Sequence, residues 1–433
     1  MPYGLASVRG MDASSIVRRP PFGSNPLVGE RGTDTQRRIL SAALEVFAET
    51  GFSEARVELV TERAGTSRPA FYQYFSSKDD VFWKLAGQLG HEMVELGEQL
   101  GRITPDAAGL AALRGWIDDF MHLYEGYAPV FSAFQAASRD HQSLARSSSG
   151  ISDRMGDALL RAFGTRRTRA QATLATGLVA VLIRCSFYTE AMAGLLERRP
   201  LVDSLAQLTH RLFAGPIDGV NTMRTGARRR RPATVAAPVP LDDGRVLRPR
   251  GEKTRQRLLV AGAAVLPARG YHDARVDDIV EAAGVSHGTF YRYFDNKDDF
   301  FRVLAEGASA GMIELLDALR LDGETADLRR WLHDWFSAYQ SNGGVISTWQ
   351  EMRTDAALAT FSQQVAASVI ARLVQILGRR DFGDPDVDAI VFLALIERIP
   401  YSVYTLQFTD RDDAIDAMTA IIRRGFLALP GPA

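Results

Sequence analysis

Residues 64–78 read Ala64-Gly65-Thr66-Ser67-Arg68-Pro69-Ala70-Phe71-Tyr72-Gln73-Tyr74-Phe75-Ser76-Ser77-Lys78. Residues 283–297 read Ala283-Gly284-Val285-Ser286-His287-Gly288-Thr289-Phe290-Tyr291-Arg292-Tyr293-Phe294-Asp295-Asn296-Lys297. The second stretch repeats the first at an offset of 290 − 71 = 219. Laid without gaps, 31–80 on 250–299 gives 22 identities in 50 positions, so the chain carries an internal duplication. Beyond these segments the match fades, although Trp116 still falls on Trp335 and Phe120 on Tyr339 at the same offset.

Working outward, Ile39, Leu40, Ala43, Leu44 and Phe47 form one helical apolar stripe, and Gly51 follows as its stop. A short helix over about 57–64 ends at Gly65, and Ser67 then caps a third helix through Tyr74. The second copy repeats this arrangement from Leu258 to Tyr293, with Pro267, in place of Ala48, expected to kink the last turn of its first helix. Two short helices around a glycine-containing turn form a helix-turn-helix, whose second helix enters the major groove of DNA.

Both copies resemble the TetR family. The resemblance is carried by Arg56-Val57…Glu62…Ala64-Gly65 through Lys78 and, more closely, by Arg275-Val276-Asp277-Asp278-Ile279…Ala283-Gly284 through Lys297. It implies an all-α fold: two tandem units, each a three-helix DNA-binding domain followed by a helical effector and dimerisation lobe. In the family, Tyr72 and Tyr291 match a tyrosine that contacts phosphate, and Lys78 and Lys297 match a phosphate-binding lysine.

Other roles follow from chemistry. Ser67 and Ser286 suit N-caps, and the helix starts they cap favour phosphate oxygens. Pro69 is tolerable in a first turn, and Gly288 admits close approach to DNA. Base reading is expected from Arg68, Pro69 and Gln73 in one copy and from His287, Thr289 and Arg292 in the other. Ala70 lacks the hydroxyl of Thr289; Tyr74 and Tyr293 complete the expected DNA-binding set. Arg56 and Arg275 stand where the family has a capping Thr, which exchanges a cap for a phosphate contact, and Glu58 and Asp277 lie near the same helix start, where the helix dipole favours them and DNA does not. Phe71, Phe75, Phe290 and Phe294 are expected in the core.

At 433 residues the chain is too long for one core, and 46% hydrophobic with 24% charged residues is the composition of a folded protein. Lys+Arg 51 against Asp+Glu 52 leaves a net charge of −1, so a DNA partner must be argued locally and nonspecific affinity is disfavoured. One cysteine, Cys185, excludes an intrachain disulfide, and a reducing cytoplasm is the expected location. Seven histidines scattered along the chain, with no glycine-rich phosphate loop, offer no catalytic set, no metal site and no cofactor, so an enzyme is not expected. The apolar stretch Leu174 to Ile183 is cut by Arg184 and Glu190, which predicts a buried helix and no membrane partner.

The expected domains are a disordered leader over 1–30, the first reader over 31–80 and its lobe over 81–215. A Pro/Arg-rich linker over 216–249, the second reader over 250–299 and its lobe over 300–429 complete the chain. The linker has 249 − 216 + 1 = 34 residues, a coil spanning roughly 30–35 Å, so the halves can pack together. The candidate interface helices are Ala170 to Leu196 with Leu201 to Phe213, and Asp386 to Phe408 with Asp413 to Leu427.

Trp116, Phe120, Tyr124, Phe131 and Phe134, with Trp331, Trp335, Phe336, Tyr339 and Trp349, either fill the lobes or line a pocket for a small apolar or aromatic effector. The expected activity is that of a regulator, repressing in the family's usual mode, on a double-stranded operator. Packed as an intrachain pseudo-dimer, two unlike recognition helices would read an asymmetric or imperfectly palindromic site. The alternative is a ligand- or protein-binding module with degenerate readers.

Overall fold

The computed structural model describes residues 30–52, 54–140, 142–191, 196–217, 248–349, 356–378 and 383–429. Residues 1–29 of the expected leader and 218–247 of the expected linker lie outside the described residues. Every element among the described residues is helical. Two compact units divide the chain, Met1–His91 with Tyr127–Asp140, and Glu92–Gly126 with His141–Ala433.

In the first unit α1 (Glu30–Thr50), α2 (Val57–Arg63), α3 (Arg68–Tyr74) and the start of α4 (Lys78–Gln99) enclose a small core. Ile39, Ala43, Val46 and Phe47 of α1 are buried together with Phe71, Phe75 and Phe82. Gly51 ends α1 in the left-handed region at φ +76, and its N–H donates to the Phe47 carbonyl at 3.0 Å. Gly65 does the same for α2 at φ +59, with Thr66 N donating to Thr61 O at 3.0 Å. Only a residue without Cβ takes these turns without strain, and at the end of the second helix the duplication keeps it, Gly284 standing at φ +62.

The second reader lies in the second unit and consists of α9 (Pro249–Asp273), α10 (Val276–Ala283) and α11 (His287–Tyr293), leading into α12 (Lys297–Asp317). It differs from the first in two respects. Helix α9 continues past both Pro267 and Gly270 to Asp273, whereas α1 stops before Gly51. At Gly262, equivalent to Ala43, a Cβ would stand 2.3 Å from the Phe300 ring. Phe300 occupies the place of Val81 (81 + 219 = 300), so a methyl lost from one helix makes room for a ring on the other.

The lobes are built from α5 (Ala107–Asp140), α6 (Gln142–Ala162), α7 (Arg169–Ala191) and α8 (Arg198–Ala214), then α13 (Thr325–Trp349), α14 (Ala356–Leu377), α15 (Pro385–Tyr404) and α16 (Arg411–Ala420). Helix α16 runs on as wider π-type turns over Ile421–Phe426. Helix α5 is broken at Tyr127, two residues before Pro129, whose ring excludes the carbonyl four residues back.

Trp116 donates its indole N–H to the Leu96 carbonyl at 2.9 Å, and Trp331 donates to the Leu315 carbonyl at 2.6 Å. Since 96 + 219 = 315, the acceptors keep the offset, but the donors are 331 − 116 = 215 apart. The expected matches of Trp116 with Trp335 and Phe120 with Tyr339 are therefore corrected by one helical turn. Trp116, Phe120 and Tyr124 correspond to Trp331, Trp335 and Tyr339, all of them buried. The chain is four residues shorter between α12 and this face of α13, about one turn of helix.

Within the second unit α7 packs on α6, α15 and α16, and α8 packs on α15 and the segment Ile421–Phe426. The window Arg169–Glu190 of α7 is long and apolar enough, by length and composition alone, to cross a membrane, a property that the core helix of a folded lobe shares. Half of that window is buried, and Arg184 within it forms an ion pair with Glu397.

Candidate nucleic-acid interface

Each recognition helix has one face locked into the core and one face left outside. On the inner face Phe71 and Phe75, like Phe290 and Phe294, stack in tilted pairs with centroids 5.8 Å and 5.3 Å apart. On the outer face Arg68, Pro69, Tyr72 and Gln73, and likewise His287, Gly288, Tyr291 and Arg292, are exposed; Ala70 and Thr289 are half-buried. Tyr72 and Tyr291 retain 45% and 51% of their surface. Arg56 and Arg275 are exposed and donate no side-chain cap. Arg275 N is instead capped by the Asp278 carboxylate at 2.9 Å, a role that Leu59 cannot play in the first reader (278 − 219 = 59).

Four expected positions come out differently. Tyr293 is buried, because it sits one turn after Phe290 and shares its inward face, so it packs the domain and offers DNA no surface. Its counterpart Tyr74 is half-buried. Ser67 accepts from Ala70 N at 3.2 Å as a cap should, but Ser286 makes no cap. Its hydroxyl is paired at 2.8 Å with that of Thr289, which competes for the lone pair that Ala70 leaves free. Lys78 donates its ammonium to Phe52 O at 2.9 Å and to Ala55 O at 3.2 Å, and Lys297 donates to Ala274 O at 3.2 Å. Both lysines thus fasten the loop that precedes the second reader helix, a structural job that the pattern did not show.

A feature common to both readers was not anticipated. Arg68 Nη1 lies 2.8 Å from Glu58 Oε1, and His287 Nε2 lies 2.6 Å from Asp277 Oδ1. A hydrogen bond to Tyr72 and then the charge of Glu58 raise the basicity of the Arg68 guanidinium. In the second reader the rings of His287 and Tyr291 lie 5.6 Å apart. The first residue of each recognition helix is therefore held between a carboxylate and the exposed tyrosine. The acids Glu58 and Asp277 share the offset of 219, and that was the available signal.

The readers differ on their other side. Arg63 bridges Glu45 and Glu49 at 2.9 Å and 2.8 Å, tying α2 to α1. The same three positions in the second reader are Ala264, Ala268 and Ala282. There an open groove of about 850 Å³ runs between α9 and α10, lined among others by Gln256, Val260, Ala261, Ala264 and Ala282.

The candidate effector residues lie in the lobes as follows. Trp116, Phe120, Tyr124, Trp331, Trp335, Phe336 and Tyr339 are buried, Phe131 is half-buried, and the side chains of Phe134 and Trp349 lie outside the described residues. The three described indoles are satisfied by backbone carbonyls, Trp335 by Ile396 O at 2.8 Å, which makes them structural first. Next to them Arg398 lies over the Tyr401 ring, 4.5 Å from its centroid, and its Nε is buried without a hydrogen-bond partner. Burial pulls its guanidinium below the usual arginine range, with Tyr401, Arg184, Tyr339 and Tyr124 in electrostatic reach.

Residues 39–84 and 258–304 each match the N-terminal domain of the bacterial regulatory proteins of the tetR family. The transcriptional regulator AcuR of Cereibacter sphaeroides is 42% identical over 87 residues, 19% of this chain and 40% of that protein. The HTH-type transcriptional activator FasR of Mycolicibacterium smegmatis is 28% identical over 172 residues, 39% of this chain and 78% of FasR. The chain thus spans well under half of the first of these relatives and about three quarters of the second. Among solved structures, regulatory protein TetR from Rhodobacter sphaeroides aligns with 26% identity over 40% of this chain and 98% of its own, at a TM-score of 0.34.

Proposed function

We propose that this chain, whose residues 39–84 and 258–304 match the tetR family of bacterial regulatory proteins, is a DNA-binding transcriptional regulator whose two halves act as one intrachain pseudo-dimer on an operator with two unlike half-sites. The observation that carries this is a reciprocal pair of bonds. Arg211 Nε donates to Gly425 O at 2.7 Å, and Arg424 Nη2 donates to Leu212 O. Since 424 − 211 = 213 and 425 − 212 = 213, equivalent residues exchange equivalent bonds, the signature of a two-fold interface.

To act on one operator, two readers have to reach successive major grooves, roughly 34–36 Å apart. Arg68, Pro69 and Gln73 differ from His287, Gly288, Thr289 and Arg292, so each helix favours its own base edges. Footprinting combined with native mass measurement on a minimal site tests this. One chain on an imperfect palindrome is expected; two chains on a perfect palindrome would refute it. Replacing one recognition helix by the other should restore a symmetric site.

An effector belongs to the same reading, and Arg398 favours it. A buried guanidinium Nε–H left without an acceptor is costly, and an aromatic molecule carrying a carbonyl or carboxylate would supply one beside Tyr124 and Tyr339. Thermal-shift screening of aromatic acids should yield stabilisers whose effect Arg398→Met removes. A promoter fusion gives the sign of regulation; repression relieved by the effector is the expected outcome.

A further inference from the structure

The offset of 213 that relates Arg211 to Arg424 also relates Arg184 to Glu397, because 184 + 213 = 397. The segments agree around it: Leu182-Ile183 corresponds to Leu395-Ile396 and Tyr188 to Tyr401. Equivalent residues of two halves meet each other only next to the axis that relates the halves. Arg184 and Glu397 do meet: Nε and Nη2 of Arg184 lie 2.9 Å and 2.6 Å from Oε2 of Glu397, and Tyr188 donates its hydroxyl to the same oxygen at 2.6 Å.

We propose that Arg184 and Glu397 form a pairing code that directs each lobe to the other kind of lobe and away from a copy of itself. This rests on the pseudo-dimer reading and adds to it a reason why the chain does not pair like with like. Two first lobes packed in this geometry would set Arg184 against Arg184, and two second lobes would set Glu397 against Glu397. The Arg184 side chain is only 11% exposed and Glu397 28%, so water screens such a repulsion poorly. Specificity of this kind comes from contacts that penalise the wrong partner as well as contacts that favour the right one.

A second one-sided contact points the same way. Ser204 donates its hydroxyl to Asp388 in the buried interface. The equivalents are Ala417 (204 + 213) and Ala175 (388 − 213), both buried. In a pair of second lobes Asp388 would meet Ala417 in place of that hydroxyl, and in a pair of first lobes Ser204 would meet Ala175. The polar groups match only in the mixed pairing.

The test uses the full chain in four forms, with exchange between differently tagged copies followed by native mass spectrometry and melting. The wild type is expected as a single chain that does not exchange. Arg184→Glu places two acids, and Glu397→Arg two bases, at the axis. Each is expected to melt lower alone, and coexpression of the two should give a one-to-one complex of two chains, at least tenfold more abundant than either variant paired with itself. The double swap Arg184→Glu with Glu397→Arg should return to a single, non-exchanging chain with restored melting. If a single variant does not fold, the double swap still decides, because failure to restore the wild-type state overturns the code. Single variants that stay monomeric, melt normally and do not exchange overturn it as well. A wild type that is itself two-chained at micromolar concentration would instead overturn the pseudo-dimer reading, whatever the charge variants do.

Discussion

Arg68 and Glu58 are joined by a 2.8 Å ion pair across the turn of the first helix-turn-helix, and both side chains are more than half exposed. So exposed a pair contributes little to stability, and an anion such as a phosphate could displace the carboxylate cheaply. Its consequence is orientation, since it fixes the guanidinium at the exposed start of the helix. His287 and Asp277 repeat the device with a ring in place of a guanidinium.

Neutralising the carboxylate should therefore uncouple affinity from selectivity. Glu58→Gln and Asp277→Asn remove a negative charge near phosphates and are expected to tighten binding to random DNA by about 0.5 kcal/mol, while thermal stability stays nearly unchanged. Titrations against operator and random duplexes read both quantities. Weaker binding to both duplexes would show that the acids support the readers in some other way.

The two exposed tyrosines should behave unequally. Tyr291→Phe is expected to cost about 1 kcal/mol of operator affinity without altering base preference, the mark of a phosphate contact. Tyr72→Phe also loses the hydrogen bond to Arg68, so the preference of the first half-site should broaden. Binding-site selection with each variant distinguishes the outcomes, and a changed preference for Tyr291→Phe would contradict this assignment.

The first reader should be the more sensitive to acid and salt. The Arg63 hydrogen bond holds the Glu49 carboxyl below the usual range, against a small opposing effect of burial. A carboxyl depressed in the folded state contributes stability above its unfolded value, near 4.3, and loses it as pH falls through the folded one. The second reader has Ala264, Ala268 and Ala282 at these positions and ties α9 to α10 by one carboxylate, the pair of Arg269 with Asp278 at 3.1 Å, in place of two. Hydrogen exchange followed from pH 6 to pH 3 should show α1 and α2 opening before α9 and α10; the reverse order would count against the bridge.

Cys185 should be inert. It is fully buried in α7, and burial pushes its thiol well above the ordinary range despite the nearby Arg184. A thiol reagent at pH 8 is expected to label it only after denaturant is added. Rapid labelling of the native protein would mean that the interface of α7 opens readily.

Local physics made the readers legible. Gly51 and Gly65 declare left-handed helix ends, Ser67 a cap, and Phe71 and Phe75 an inward face, and each of these constraints acts over a few residues. The duplication supplied the rest, since a second copy turns a plausible helix-turn-helix into a repeated one. What the sequence by itself determined is therefore the all-α class, the tandem readers and the outward side chains Arg68, Gln73, His287 and Arg292.

Tertiary structure decided everything that depends on which helices meet. A constant offset carried Trp116 onto Trp335, and only the shared acceptors Leu96 and Leu315 show that the match is Trp331. The ammonium of Lys78 reaches back 26 residues to Phe52 O, Arg184 finds Glu397 at a separation of 213, and Arg398 is left over a tyrosine ring with no acceptor for its Nε. Helical periodicity announces that a face is buried but carries no information about the partner, because apolar burial is non-directional; the identity of each polar contact is set only when two such faces dock.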